Sequence, residues 1–198
     1  MENERNIREV LREQFEDALS IAKTVVITCL ATFLMTNFVI ANAVVPSSSM
    51  EKTISPGDRI VGTRLFLEHE RGDIVVFKDP DGSGKYLIKR IIGMPGERVQ
   101  IVQDSGENGS VYINGIKLEE TYLPEPMYMH SPLSSLDIRV PADSYFCLGD
   151  NRNDSYDARY WSNKFVKDNE IIARAVLRYW PVKNAGLIGK HTYQKGES

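Results

Sequence analysis

The chain has 198 residues, 42% of them hydrophobic and 26% charged, which suits one globular domain with a small appendage and excludes a disordered or polytopic membrane chain. A net charge of −3, with acids and bases interleaved, removes the basic footprint of a nucleic-acid binder. Two cysteines (Cys29, Cys147) make no disulfide framework, three dispersed histidines (His69, His130, His191) have no zinc-type spacing, and no glycine-rich phosphate loop occurs, so neither a metal nor a cofactor is expected.

Residues 1–23 place Ile7, Val10, Leu11, Phe15, Ala18 and Leu19 at helical spacing and predict an amphipathic lead-in helix with a solvated charged face. Residues 24–45 (TVVITCLATFLMTNFVIANAVV) carry no charge over 22 positions. As a helix they would span about 33 Å, close to the roughly 30 Å hydrocarbon core, and they are expected to be an uncleaved membrane anchor. A removed export signal is the sharper rival, because Ala41-Asn42-Ala43 has small-x-small character. The apolar run is too long for a typical signal core, however, and the preceding 23 residues are acidic rather than basic. Four Lys or Arg before the run and three soon after it (Lys52, Arg59, Arg64) bias the N-terminus weakly toward the cytoplasm.

From residue 46 to 198 the texture changes. Runs rich in Val, Ile, Tyr and Phe alternate with turn formers: 59–67, 73–78, 86–92, 98–102, 111–118, 138–148 and 171–180. Asn114-Gly115 between Val111-Tyr112-Ile113 and Ile116-Lys117-Leu118 is a strong hairpin signal. The expectation is a mostly β fold: a single N-terminal transmembrane helix, then antiparallel sheets or a partly open barrel. Residues 119–135, with three prolines, read as an exposed loop, and the tail after Val182 as loosely ordered.

Four clusters carry chemistry. Pro46-Ser47-Ser48-Ser49-Met50 follows the apolar run directly and, taken alone, fits a linker or a helix cap. In Tyr86-Leu87-Ile88-Lys89-Arg90-Ile91-Ile92 the strand period sends Lys89 and Arg90 to opposite faces, so at least one basic residue points into apolar surroundings. That residue is either an edge lysine snorkelling to water or a desolvated amine with a lowered pKa. Gly149-Asp150-Asn151-Arg152 with Ser155, Asp157 and Arg159 is either a polar turn or a buried scaffold of Arg–Asp pairs. Pro56-Gly57-Asp58 reads as a turn into a strand.

In this order and spacing, Ser-x-Ser-Met, Gly-Asp, Lys-Arg-x-x-Gly-x-Pro-Gly and Gly-Asp-Asn-Arg with Ser-x-Asp-x-Arg resemble the type I signal peptidases, over the whole chain and in their compact form. The resemblance implies a membrane-bound serine endopeptidase whose extracytoplasmic domain removes signal peptides from exported pre-proteins at the lipid bilayer as they emerge from the export channel. It implies Ser49 as nucleophile and Lys89 as general base, a Ser–Lys dyad. Ser47 becomes the side-chain oxyanion donor, Ser155 the serine that orients the lysine, Asp157 and Arg159 a supporting ion pair, and Asp150 and Arg152 a structural turn.

Shallow pockets for small side chains would then be walled by residues near 86–96. The chain departs from the family pattern at Lys52, where proline is usual, at Ala158 and at Ser162. Lys52 would loosen the chain and bring a second amine near Ser49. Two other readings stay open: an idle membrane-anchored binding module, and a self-cleaving Ser–Lys protease of the repressor type, which the apolar run and the acidic N-terminus oppose.

Overall fold

The structure is a computed structural model and describes residues 2–65, 68–104, 106–129, 135–189, 191 and 193. Phe66 and Leu67 of the first expected strand, residues 130–134 of the expected loop, and most of 190–198 lie outside the described residues. The chain divides into two compact units, 1–39 and 40–198.

The first unit is one helix, α1 (Glu2–Leu34), closed by a π-turn over Met35–Val39. Lead-in and apolar run are therefore continuous. Its stretch Leu11–Val39 is long and apolar enough to cross a membrane. Val26, Ile27, Leu30 and Phe33 stand more than half exposed, as expected of a helix whose solvent is lipid. Its polar side chains are satisfied along the helix itself: the Thr24, Thr28 and Thr36 hydroxyls donate to the carbonyls of Ser20, Thr24 and Thr32 at 2.8–3.0 Å, and Asn37 Nδ2 donates to Phe33 O. Hydrocarbon demands this internal pairing, because no water is present to satisfy the groups.

The uncharged run expected as one span over 24–45 is split. Residues 40–44 form strand β1 (Ile40–Val44), paired antiparallel with β2 (Arg59–Thr63). Ala41-Asn42-Ala43 is thus part of a ladder. Pairing consumes its backbone donors and acceptors, and hydropathy alone does not register that.

The larger sheet adds β3 (Ile74–Lys78), β4 (Tyr86–Gly93), β10 (Ser144–Leu148), β11 (Val166–Lys167), β12 (Ile171–Trp180) and β13 (Gly186–Leu187). Its order is β1-β2-β12-β3-β4-β10-β11, with β13 on β12. The smaller sheet holds β5 (Arg98–Gln103), β6 (Asn108–Ile113), β7 (Ile116–Lys117), β8 (Met127–Tyr128) and β9 (Leu136–Arg139), in the order β7-β6-β5-β9 with β8 on β6. The pairings are antiparallel and neither sheet closes into a barrel. The predicted hairpin forms around Asn114 and Gly115, both with positive φ (52° and 86°), the backbone a tight primed turn requires.

One hydrophobic core, with Phe77, Ile91, Val99, Ile101, Phe146 and Trp161, is shared by both sheets. A second packs Val45, Met50, Ile54, Ile60, Ile88 and Ala175. The strand expected over 138–148 is two. Pro141 supplies no ladder donor and Asp143 has φ 55°, so β9 ends in the small sheet and β10 begins in the large one.

Two other expectations are corrected. The stretch 119–129 is not simply exposed, since Met127 is fully buried and Tyr122 packs against the core. The tail is not loose throughout, since β13 pairs with β12 and Tyr193 is buried in the core.

Candidate active site

Pro46 ends the extended chain after β1, and Ser48–Met50 make a single 3₁₀ turn. Met50 and Ile54 are fully buried beneath it, and Ile54 N–H donates to Met50 O at 2.8 Å. Burial of Met50 holds the neighbouring Ser49 side chain against β4. There Lys89 Nζ lies 2.7 Å from Ser49 Oγ and 3.1 Å from Ile88 O. Ser47 Oγ is 3.3 Å from Ser49 Oγ. The turn and the strand, 40 positions apart in sequence, thus bring two hydroxyls and one amine together.

Lys89 is 3% exposed, so the snorkelling alternative fails. Burial is the main influence on its amine and holds it below the usual lysine range; the carboxylates of Asp157 and Asp150 act against this, and Arg159 acts with it. Cys147 does not offset the ammonium with a thiolate, because its own burial pushes the thiol upward. An amine poorly solvated as the ammonium is one that can accept a proton from a hydroxyl.

The polar cluster is a buried scaffold rather than a surface turn, with Asp157 and Arg159 paired inside it and Asp150 and Arg152 paired with residues outside it. Arg159 grips Asp157 through Nε (2.8 Å) and Nη2 (2.9 Å), and Asp157 also accepts from Gly149 N–H at 3.0 Å. Asp150 pairs with Arg90, not with Arg152, through Nε (2.8 Å) and Nη2 (2.6 Å), and accepts from the Thr53 hydroxyl at 2.6 Å. Arg152 pairs instead with Glu120 and donates from Nε to Gly149 O at 3.0 Å. Asn151 N–H donates to Ser49 O at 3.0 Å, which fastens the cluster to the serine turn.

Ser155 is buried, but its hydroxyl has no partner, so the expected bond to Lys89 is not made. It is held instead against Gly149: a Cβ there would stand 2.2 Å from Ser155 Oγ and 2.5 Å from Ser49 O. Lys52 does not offer a second amine to the serine. Its Nζ donates to Leu123 O at 3.1 Å and to Thr121 O at 3.5 Å.

Sequence reasoning missed Arg90 as the partner of Asp150, although its place beside Lys89 in an apolar strand was a signal. Asn151 lay within the Gly-Asp-Asn-Arg motif, but its bond to Ser49 was not read from it; Thr53 and Glu120 carried no signal, since each acts across a long stretch of chain. No cluster of His, Cys, Asp and Glu able to hold a metal ion occurs among the described residues.

A groove of about 370 Å³ lies on the same unit, lined by Ala41, Ala43, Ile60, Gly62, Val76 and Tyr86 among others. Ala43, Ile60 and Val76 pack with Met50 and Ile88, the sequence neighbours of Ser49 and Lys89. Of the stretch 86–96 expected to wall a pocket, Tyr86 lines this groove, and β1, β2, β3 and the Ile172–Ala173 part of β12 supply most of the rest.

A family model described as signal peptidase, peptidase S26, matches residues 18–180. A probable signal peptidase I-2 of Synechocystis sp. is 38% identical over 179 residues, covering 86% of this chain and 77% of the relative. A signal peptidase I of Leptolyngbya laminosa is 38% identical over 178 residues, covering 84% and 82%. Signal peptidase I S of Bacillus subtilis is 34% identical over 170 residues, covering 81% and 88%.

Proposed function

The chain belongs to the signal peptidase family, peptidase S26, and from that premise we propose that its chemistry is carried by a Ser49–Lys89 dyad. The membership makes it a signal peptidase, a serine endopeptidase whose substrates are exported pre-proteins, and the apolar N-terminal helix fits a membrane-anchored protein. The catalytic unit would be residues 40–198, facing the extracytoplasmic side, with the N-terminus cytoplasmic.

The observation that carries the dyad is the 2.7 Å approach of a buried amine to a serine hydroxyl. A serine alcohol is a weak nucleophile until a base takes its proton during attack. Neutral Lys89 takes that proton as Ser49 Oγ adds to the scissile carbonyl, then returns it to the leaving amine, which releases the mature protein and leaves an acyl-enzyme. Lys89 next deprotonates the water that hydrolyses the ester. The Ser47 hydroxyl and the Ser49 N–H stabilise the tetrahedral oxyanion, each donor contributing about 2.7–4 kcal/mol in comparable sites.

Ser155, buried with a hydroxyl that has no other partner, is suited to accept from the lysine as it gains a proton. The groove beside Ala43, Ile60 and Val76 takes a small side chain before the cut. Pre-proteins would reach the site at the bilayer surface as they leave the export channel.

The test is cleavage of a pre-protein in detergent micelles by the wild type, Ser49→Ala and Lys89→Ala, with circular dichroism to confirm folding. Cleavage after a small residue by the wild type, and none by either folded variant, is expected. An active Lys89→Ala variant would remove the lysine from its role, and an inert wild type would favour an idle binding module.

A further inference from the structure

The segment between β7 and β8, residues 118–126, contributes to none of the four chemistry-bearing clusters above, yet it is strapped to both catalytic segments. Glu120 is the centre of this contact. Its carboxylate pairs with both terminal nitrogens of Arg152, with Oε2 2.8 Å from Nη1. It also accepts from the Tyr122 hydroxyl at 2.5 Å. Arg152 passes this hold to Gly149 O, and the adjoining Asn151 N–H holds Ser49 O. Tyr122 lies with its ring 4.2 Å from the Arg90 guanidinium carbon, and Arg90 is the strand neighbour of Lys89.

Further straps come from either side. Lys52, three residues after the nucleophile, donates to the carbonyls of Leu123 and Thr121. Asn153 Nδ2 donates to Glu125 Oε1 at 2.8 Å and to Pro126 O at 2.9 Å. From behind, the Tyr193 hydroxyl meets that of Tyr122 at 3.1 Å, and His191 Nε2 lies 3.0 Å from Glu119 O. The segment therefore grips the chain on the nucleophile side and on the lysine side at once.

We propose that residues 118–126 brace the active site and that Glu120 is its positioning residue, setting the approach of Ser49 to Lys89 through Arg152 on one side and Tyr122–Arg90 on the other. The proposal rests on the dyad reading above. Arg152 is 3% exposed, and a guanidinium so enclosed keeps its place only with a carboxylate opposite it. Without that partner the Gly149–Asn151 turn loses its anchor, and the nucleophile moves with it. A shift of about 1 Å in reacting geometry costs roughly 10²-fold in rate. Glu120 lines no part of the substrate groove, so binding is spared.

The experiment measures kcat and KM for pre-protein cleavage by the full chain in detergent, with Ser49→Ala, Glu120→Gln, Glu120→Asp and Tyr122→Phe beside the wild type. Glu120→Gln is expected to lower kcat by about 10- to 100-fold with KM little changed, and Glu120→Asp, which restores the charge, to recover part of the loss. If Glu120→Gln does not fold, Tyr122→Phe decides: it keeps the ring on Arg90, loses the bond to Glu120, and should lower kcat by a few fold at unchanged KM. Wild-type kcat in the folded Glu120→Gln, or in Tyr122→Phe, overturns the brace. So does a Glu120→Asp variant no better than Glu120→Gln. If Ser49→Ala cuts at the wild-type rate, the dyad reading has failed and the brace with it. If Ser49→Ala is dead while Glu120→Gln keeps its kcat, only the brace has failed.

Discussion

Arg90 and Asp150 form a two-bond ion pair enclosed on every side, with 1% of either side chain exposed. Because Arg90 follows Lys89 in β4, one strand sends an amine to Ser49 from one face and a guanidinium to the 149–151 turn from the other. The strand period makes the two tasks compatible. Removing the carboxylate leaves a buried guanidinium unpaired, and such losses run to about 3–5 kcal/mol. Asp150→Ala is therefore expected to lower the thermal unfolding midpoint sharply, and Thr53→Val, which removes one hydroxyl donor to the same carboxylate, by much less. Equal effects of the two would contradict the pairing.

Lys89 makes stability and activity oppose each other. Burial holds its folded pKa below the ordinary 10.5, so between the two values the unfolded chain binds more protons than the folded one. Stability from this group therefore rises with pH across that window. Below the folded pKa the cost of the buried charge is present in full. Lys89→Met should be inactive yet more stable at neutral pH, by about 0.5–2 kcal/mol. Its advantage over the wild type should shrink as pH climbs through the window in a series of thermal melts. Cleavage by the wild type should gain its neutral base, and level off, below the pH at which an exposed lysine would titrate. An advantage that does not change with pH would rule out desolvation as the cause.

The period of β4 showed that a basic residue had to be buried, and the length of the uncharged run showed a helix suited to a membrane. Both signals are local, set by residues a few positions apart. What stayed hidden was pairing at long range. Asp150 stands two residues from Arg152 but pairs with Arg90, 60 positions away, while Arg152 reaches Glu120, 32 positions away. Composition cannot choose among several arginines and carboxylates when the backbone decides which ones meet. The end of the apolar helix was hidden for a related reason. Residues 40–44 are as apolar as lipid requires, and only their ladder with Arg59–Thr63 makes them a strand.

Lys52 occupies a turn that a proline would not fit. Glu51 has φ −60° and ψ 152°, Lys52 has φ 75°, and Thr53 N–H donates to Met50 O at 3.1 Å; this is type II geometry, which favours glycine at the Lys52 position. A proline ring fixes φ near −65°. Lys52→Pro must remake the turn that follows the nucleophile, and should cost more than about 1 kcal/mol together with most of the activity. Lys52→Gly relieves the left-handed backbone but gives up the bonds to Thr121 and Leu123, so it should fall within about 1 kcal/mol of the wild type. Thermal melts and cleavage assays of the two variants side by side check this, and a fully active Lys52→Pro would contradict the turn.

Gly149 is where the scaffold presses closest on the nucleophile. A methyl group there would meet three atoms, Ser155 Oγ at 2.2 Å, the backbone oxygen of Ser49 at 2.5 Å and Ser155 Cβ at 2.6 Å. The hydroxyl can rotate away; the Ser49 oxygen and the Ser155 Cβ can yield only by moving backbone. Gly149→Ala is expected to lower kcat by roughly 10²-fold and to cost about 1–3 kcal/mol from overpacking. The double variant Gly149→Ala with Ser155→Gly separates the clashes, since it removes both Ser155 atoms and leaves the Ser49 carbonyl in the way. Relative to Ser155→Gly alone, adding Gly149→Ala should still cost nearly the full factor in kcat. If the added loss vanishes, the pressure on Ser155, and not the seat of Ser49, is what the glycine relieves.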